Sequence, residues 1–185
     1  MKYYTIVGGV NGTGKTSLIG SLKTAYNNFG YIIDLDKLAV KHGSPLEAGR
    51  ETVRRIDEYI SKGICFTQET TLSGVRIERT VRRAKDAGYY IRLYYIGLGS
   101  ADESIRRIAN RVAKGGHDIP AQDVVRRFNN RFASLARILP YCDEATFFDN
   151  ENGFIEVAVF RNGELIPTGE YRPGWLEELM VKIIL

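Results

Sequence analysis

Gly9, Gly14, Lys15 and Thr16 fall at the spacing G-x-x-x-x-G-K-[ST] within GVNGTGKT, between the apolar run Tyr3–Val7 and a helical pattern. That context gives the spacing a mechanism. Glycines let the chain curl until its backbone N–H groups converge on phosphate oxygens, and the dipole of the following helix adds partial positive charge. Lys15 is placed to reach the β- and γ-phosphates, and the Thr16 hydroxyl to ligate magnesium. The expected ligand is ATP with Mg2+, held by Gly9, Asn11, Gly12, Thr13, Gly14, Lys15, Thr16 and Ser17.

Such a loop specifies a nucleotide without specifying its fate. Transfer to a hydroxyl acceptor needs a carboxylate near the γ-phosphate to take or orient the acceptor proton, and positive charge where the equatorial oxygens separate. Asp34 and Asp36, at the end of a second apolar run, are the candidates for that base, because strand C-termini face the ligand crevice of an open parallel sheet. Glu69 ends a third run in CFTQETTLSG. It suits magnesium through water or the acceptor itself; Thr70, Thr71 and Ser73 follow it as site residues or as ordinary turn residues.

The positive charge is concentrated. Ser104 to Arg137 holds eight Lys and Arg residues against Asp118 and Asp123, which makes this segment more positive than the whole chain at +4. At about 100° per residue, Arg127 and Arg131 flank the apolar stripe Val124, Phe128, Leu135 and Leu139 and can enter a cleft, while Arg126 and Arg137 fall on the solvent side. Arg111, one turn after Arg107, approaches the Gly115-Gly116 break from the preceding helix. Helix, glycine pair and helix fit a lid that closes guanidinium forks over phosphates. Nucleic acid is the alternative partner for this charge, but the interleaved aromatics of a single-strand platform are missing, and Phe128 and Phe132 read as core. His117, in the break, reads as a phosphate contact or loop residue, since its only companion, His42, is remote. No metal other than magnesium is expected.

These residues need a scaffold, and the chain supplies alternating short apolar runs and helical patterns, the signature of βαβ units and a mostly parallel sheet with helices on both faces. Strands are expected at Tyr3–Val7, Tyr31–Asp34, Ile64–Gln68, Tyr89–Ile96 and Thr146–Phe148. Lys15–Phe29 reads as a helix with Leu18, Ile19, Leu22, Ala25 and Tyr26 on one stripe, stopped by Gly30. Ser44-Pro45-Leu46-Glu47 and Ser100-Ala101-Asp102-Glu103 are capping boxes that open two more helices. A helix is also expected over Ser73–Ala87, and one longer helix from about Val124 to Leu139. Arg161-Asn162-Gly163 signals a small antiparallel hairpin, and Trp175–Leu185 a closing helix.

With 185 residues, 44% hydrophobic and 26% charged, one globular domain with a real core is the expected size class. We read residues 1–150 as the core with a lid at about 104–137, and residues 151–185 as a hairpin and helix packed on the same domain. The first apolar run is too short for a signal segment or a membrane span, so a cytoplasmic location is expected. Cys65 and Cys142 have neither zinc spacing nor a secretory context and read as reduced thiols.

Taken in order, GGVNGTGKT, DLDKLA, QETTLSG, YYIGLGSADESIRRIANRV, GGHDIP and VVRRF resemble the zeta-toxin-like P-loop kinases over roughly Tyr4 to Asn150. Characterised zeta toxins use ATP to phosphorylate the amino-sugar 3′-hydroxyl of UDP-N-acetylglucosamine. The resemblance implies that Lys15 and Thr16 bind ATP and magnesium, that Asp36 is the base, that Glu69 and Thr71 lie at the acceptor site, and that Arg111 is a lid arginine. The second lid arginine of those toxins aligns near His117, which passes its role to Arg126 or Arg127. The acceptor-binding arginine that follows E-G-T in the toxins is missing after Glu69-Thr70-Thr71, so the acceptor differs or is held differently. An antitoxin is the partner such toxins have, and this chain does not encode one. A nucleotide-dependent switch or nucleic-acid-associated ATPase is the competing class.

Overall fold

Along β1 (Tyr3–Gly8) and β4 (Tyr90–Gly97) nearly every side chain is buried, the mark of central parallel strands covered on both faces. The computed structural model describes residues 1–25, 28–74 and 76–184, with the side chains of Ala25, Asp36 and Ile184 outside that description. Its sheet also contains β2 (Tyr31–Asp34), β3 (Phe66–Thr70), β5 (Glu144–Asp149), β6 (Ile155–Arg161) and β7 (Glu164–Pro167), in the order β2-β3-β1-β4-β5-β6-β7. The first five are parallel, and β6 and β7 add antiparallel strands beyond β5. The hairpin read from Arg161-Asn162-Gly163 therefore widens the main sheet.

Among the described residues seven helices connect the strands, α1 (Lys15–Ala25), α2 (Leu35–His42), α3 (Pro45–Lys62), α4 (Arg76–Asp86), α5 (Ala101–Ala113), α6 (Ala121–Asn129) and α7 (Arg131–Ile138), and α8 (Gly174–Ile184) follows the last strand. Strand alternation divides the core. Ile6, Leu93 and Tyr95 join Phe132, Leu135 and Trp175 in the larger cluster, while Val7, Tyr94 and Ile96 meet Leu18, Ile19 and Phe29 on the α1 side. Helices α5 and α6 and the segment between them share a small apolar centre of their own, Ile108, Ile119 and Val124. No described helix is long and apolar enough to cross a membrane.

The serine half of each capping box forms, with Ser44 Oγ accepting from Glu47 N at 3.4 Å and Ser100 Oγ from Glu103 N at 3.1 Å, while the Glu47 and Glu103 carboxylates accept from arginines. Three expectations are corrected. The first helix does not reach Phe29: Asn28–Gly30 are non-helical, Phe29 is buried in the smaller cluster, and its carbonyl accepts from Thr67 Oγ1 at 2.5 Å. Tyr26, placed on that helix's stripe, lies outside the described residues. The single helix expected over Val124–Leu139 is two helices broken at Asn130 (φ −100°, ψ 10°), whose side-chain amide donates to Arg126 O at 2.9 Å in competition with the helical ladder. The third strand is shifted two residues toward its C-terminus, so Glu69 lies within it.

Both cysteines are free. Cys142 is buried and its thiol is pushed up to about 12, by burial first and by Asp143 second. At pH 8 the thiol is protonated as well as shielded. A disulfide-exchange reagent is expected to titrate Cys65 alone in the native chain and both thiols in denaturant. A second reactive thiol in the native protein would contradict this.

Candidate active site

β1 ends at Gly8 and α1 begins at Lys15, so the glycine loop lies at the C-terminal edge of the parallel strands, beside the ends of β2 and β3. Strand register places Glu69 level with Val7 on one side and Asp34 on the other. The loop turns through positive φ at Gly9, Gly12 and Gly14. At Gly14 (φ +90°) a side chain is excluded twice, by backbone conformation and because a Cβ would lie 2.8 Å from Asn150 Nδ2 and 3.2 Å from the Phe154 ring.

Lys15 is only 7% exposed, and its ammonium donates to Val10 O at 3.1 Å, a carbonyl that also accepts from Thr13 Oγ1 at 3.0 Å. The Thr16 hydroxyl donates to the two Glu69 carboxylate oxygens at 3.0 and 3.2 Å. A hydroxyl and a carboxylate at a helix N-terminus form the hard oxygen donor set that suits magnesium, which keeps several waters and phosphate oxygens as further ligands. Among the described residues no three of His, Cys, Asp or Glu gather into a metal cage, and such a magnesium site needs none. Thr16 and Glu69 therefore fit the ion that the loop implies.

A cavity of about 220 Å³ fronts the loop and is lined by Asn11, Lys15, Thr16, Ser17, Glu69, Arg107 and Arg111, among others. A second, about 150 Å³, shares Lys15 and Glu69 with it and adds Asp34, Thr71, Ser73 and Arg127. The structure thus brings Lys15, Thr16, Glu69, Thr71, Arg111 and Arg127 to one edge. Asp34 Oδ1 accepts from Lys37 N at 3.1 Å, so this carboxylate caps α2. Asp36 lies in the first turn of α2; its side chain is outside the described set.

Helices α5 and α6 are tied to the loop at Asn11. Its side chain accepts from Arg127 Nη1 at 2.8 Å, and its carbonyl accepts from Ser104 Oγ. Arg111 Nη2 donates to His117 O at 2.5 Å, and both residues border a third cavity with Thr16, Asp34 and Glu69. Hydrogen bonding from Arg107 is the main reason the Glu103 carboxyl lies below its usual range. Arg126 pairs with Asp123 at 2.6 Å and lines a separate recess of about 440 Å³ with Ser73, Arg127, Ser134 and Arg137. It stands apart from the loop cavity, and Arg137, expected in solvent, shares its recess. Arg131, expected at the cleft, is buried away from it, paired with Glu178 and stacked over Phe128 and Phe132 at 3.9 and 4.4 Å. The helix break at Asn130 upsets the projection that placed it.

Leu72 is held at φ +53°, uncommon for a residue with a bulky side chain, and is 1% exposed beneath Gly8. This strained position lies between Thr71 and Ser73, whose hydroxyls are 2.7 Å apart. Arg107 and Asn150 border the loop and were not among the expected site residues. The position of Asn150, just beyond a strand C-terminus, was the available signal.

Sheet order, with the glycine loop between β1 and α1, gives the α/β fold of the P-loop kinases. No family model matches the chain. The chain belongs to one family with an uncharacterized protein of Haemophilus influenzae, 34% identical over 124 residues that cover 64% of this chain and 86% of that protein. Solved structures share the fold at low identity. A chain of the PezAT chromosomal toxin-antitoxin system of Streptococcus pneumoniae is similar at TM-score 0.60 and 17% identity, over 100% of this chain and 85% of that one. A chain of AvrRxo1-ORF1:-ORF2 with ATP is similar at TM-score 0.67 and 18% identity, over 99% of this chain and 63% of its own.

Proposed function

We propose that this chain is an ATP- and magnesium-dependent phosphotransferase that phosphorylates a hydroxyl of a small-molecule acceptor in the cytoplasm. The observation that carries the reading is the convergence of Lys15, Thr16, Glu69 and two lid arginines on adjoining cavities at the C-terminal edge of the parallel strands. When bound, ATP with magnesium supplies the phosphoryl group and part of the charge neutralisation. Lys15 holds the phosphates, Thr16 and Glu69 provide oxygen ligands for the ion, and Arg111 and Arg127 offset charge that develops on the transferred group. Asp36 takes the acceptor proton, and Thr71 with Glu69 orients the acceptor. The shared fold with AvrRxo1-ORF1:-ORF2, solved with ATP, supports the choice of nucleotide.

The acceptor is assigned to the side of Ser73. There the recess gathers Arg126, Arg127 and Arg137, of which Arg126 also pairs with Asp123 and Arg137 with Glu78, and three guanidinium groups on one recess favour an acceptor that carries an anionic group, such as UDP-N-acetylglucosamine or another nucleotide sugar. These arginines take the place of the one absent after Thr71. We further assign residues 1–150 to the kinase core with its lid at about 104–137, and residues 151–185 to an extension of the same domain. An antitoxin encoded elsewhere, as in a toxin-antitoxin system, completes the proposal.

The test is incubation with labelled ATP, magnesium and a metabolite panel that includes UDP-sugars. Transfer of label to an anionic hydroxyl compound is expected. Steady ATP hydrolysis with no labelled acceptor would remove the kinase reading and return the chain to the switch class.

A further inference from the structure

The phosphate loop is gripped from behind by a segment remote from it in sequence. Asn150 Nδ2 donates to Thr13 O at 2.8 Å. A peptide group is planar and trans, so fixing the Thr13 carbonyl also fixes the Gly14 N–H, which points to the opposite side of the same plane. Gly14 has no side chain to restrict its torsions, and the Thr13–Gly14 peptide is separated from Lys15 by that glycine alone. Asn150 supplies from outside the loop the restraint that the glycine cannot supply itself.

Asn150 is itself held. Its own N–H donates to Gly97 O at 3.3 Å. The residue before it, Asp149, is 1% exposed, and its carboxylate accepts from Trp175 Nε1 at 2.7 Å, Glu151 N at 3.1 Å and Tyr171 OH at 3.4 Å. Trp175, in the first turn of α8, packs against Gly97 so closely that a Cβ there would lie 2.2 Å from its ring. A buried carboxylate is costly unless its lone pairs are met, and here three donors from the 150–175 segment meet them. The result is a chain of contacts from α8 through Asp149 and Asn150 to the backbone of the loop.

We propose that Asn150 is a positioning residue for the nucleotide phosphates and that the Asp149–Trp175 pair anchors it, which makes the C-terminal helix a working part of the phosphate site. This rests on the reading of Gly9–Thr16 as a nucleotide loop. The group served is the polyphosphate, because the restrained peptide belongs to the loop.

The experiment is calorimetric titration of the full chain with magnesium ATP and, separately, magnesium pyrophosphate, which carries no base, alongside melting curves without ligand. Asn150→Ala, and the similar-sized, uncharged Asn150→Leu that lacks the amide donor, are expected to weaken both ligands roughly tenfold, the loss of one well-placed hydrogen bond in a charged site. Their melting temperatures should stay within a few degrees of wild type. Trp175→Phe, which keeps a smaller aromatic ring but loses the donor and part of the packing on Gly97, is expected to weaken both ligands and also to lower the melting temperature. Unchanged affinity in the Asn150 variants overturns the positioning role and leaves the phosphotransferase reading intact. A loss confined to ATP overturns it in favour of contact with the base, unchanged affinity in Trp175→Phe removes the anchor, and a wild type that binds neither ligand removes both readings.

Discussion

Asp36→Asn is expected to lower the turnover of phosphoryl transfer by roughly 10²–10⁴, the usual contribution of a positioned general base, while the affinity for magnesium ATP stays within about twofold of wild type. The asymmetry arises from when the carboxylate is needed. An acceptor hydroxyl loses its proton only as the new bond forms, so the base contributes to the transition state and little to nucleotide binding. Position supports Asp36 over Asp34. Asp34 Oδ1 is engaged by Lys37 N as the cap of α2, whereas Asp36 is two residues beyond the end of β2, in the first turn of the helix that leaves the ligand edge. Single-turnover assays with the labelled acceptor, paired with nucleotide titration, check both halves. A variant that transfers phosphate at the wild-type rate would remove Asp36 from catalysis; one that fails to bind ATP would show that the residue supports the nucleotide site instead.

What the sequence disclosed and what it withheld divide along the range of the interactions involved. Gly9 to Thr16 and the hairpin around Asn162-Gly163 were legible because a few adjacent residues determine each backbone path. Local geometry decides there. The break at Asn130 was hidden because Phe128, Phe132 and Leu135 keep an apolar stripe of helical spacing across it, while the discontinuity lies in the Asn130 backbone and in its side-chain bond to Arg126 O. The consequence reached the site. Arg131 projected toward the cleft on an unbroken helix, yet it is buried beside Glu178 of α8, while Arg137 borders the arginine recess. Helix α2 was missed for a related reason: Asp34-Leu35-Asp36 read as the end of a strand, although Asp34 both ends β2 and caps the helix that begins at Leu35. Asn150, Asp149 and Trp175 act through contacts between residues 26 to 137 positions apart, and no local pattern encodes those.

Lys15→Ala is expected to be the more damaging substitution, because it removes an interaction that serves binding and transition state alike. Lys15, at the N-terminus of α1, lines the cavity shared with Thr16 and Glu69, and loss of a charged donor at a site where charge develops costs about 10²–10³ in turnover. Hydrogen bonds from Lys15 to the phosphate oxygens of bound ATP would be charge-assisted, so magnesium ATP should also bind roughly 10- to 100-fold more weakly. Lys15→Arg should not restore either property, since a planar guanidinium cannot replace a compact ammonium at a point charge site. The fold should survive, for Val10 O keeps Thr13 Oγ1 as a donor at 3.0 Å and alanine favours the helix; melting curves check this directly. The two substitutions therefore have different signatures: Asp36→Asn loses turnover with binding retained, and Lys15→Ala loses both. Equal nucleotide affinity in Lys15→Ala and wild type would place the phosphates somewhere other than the glycine loop, and with them the whole catalytic assignment.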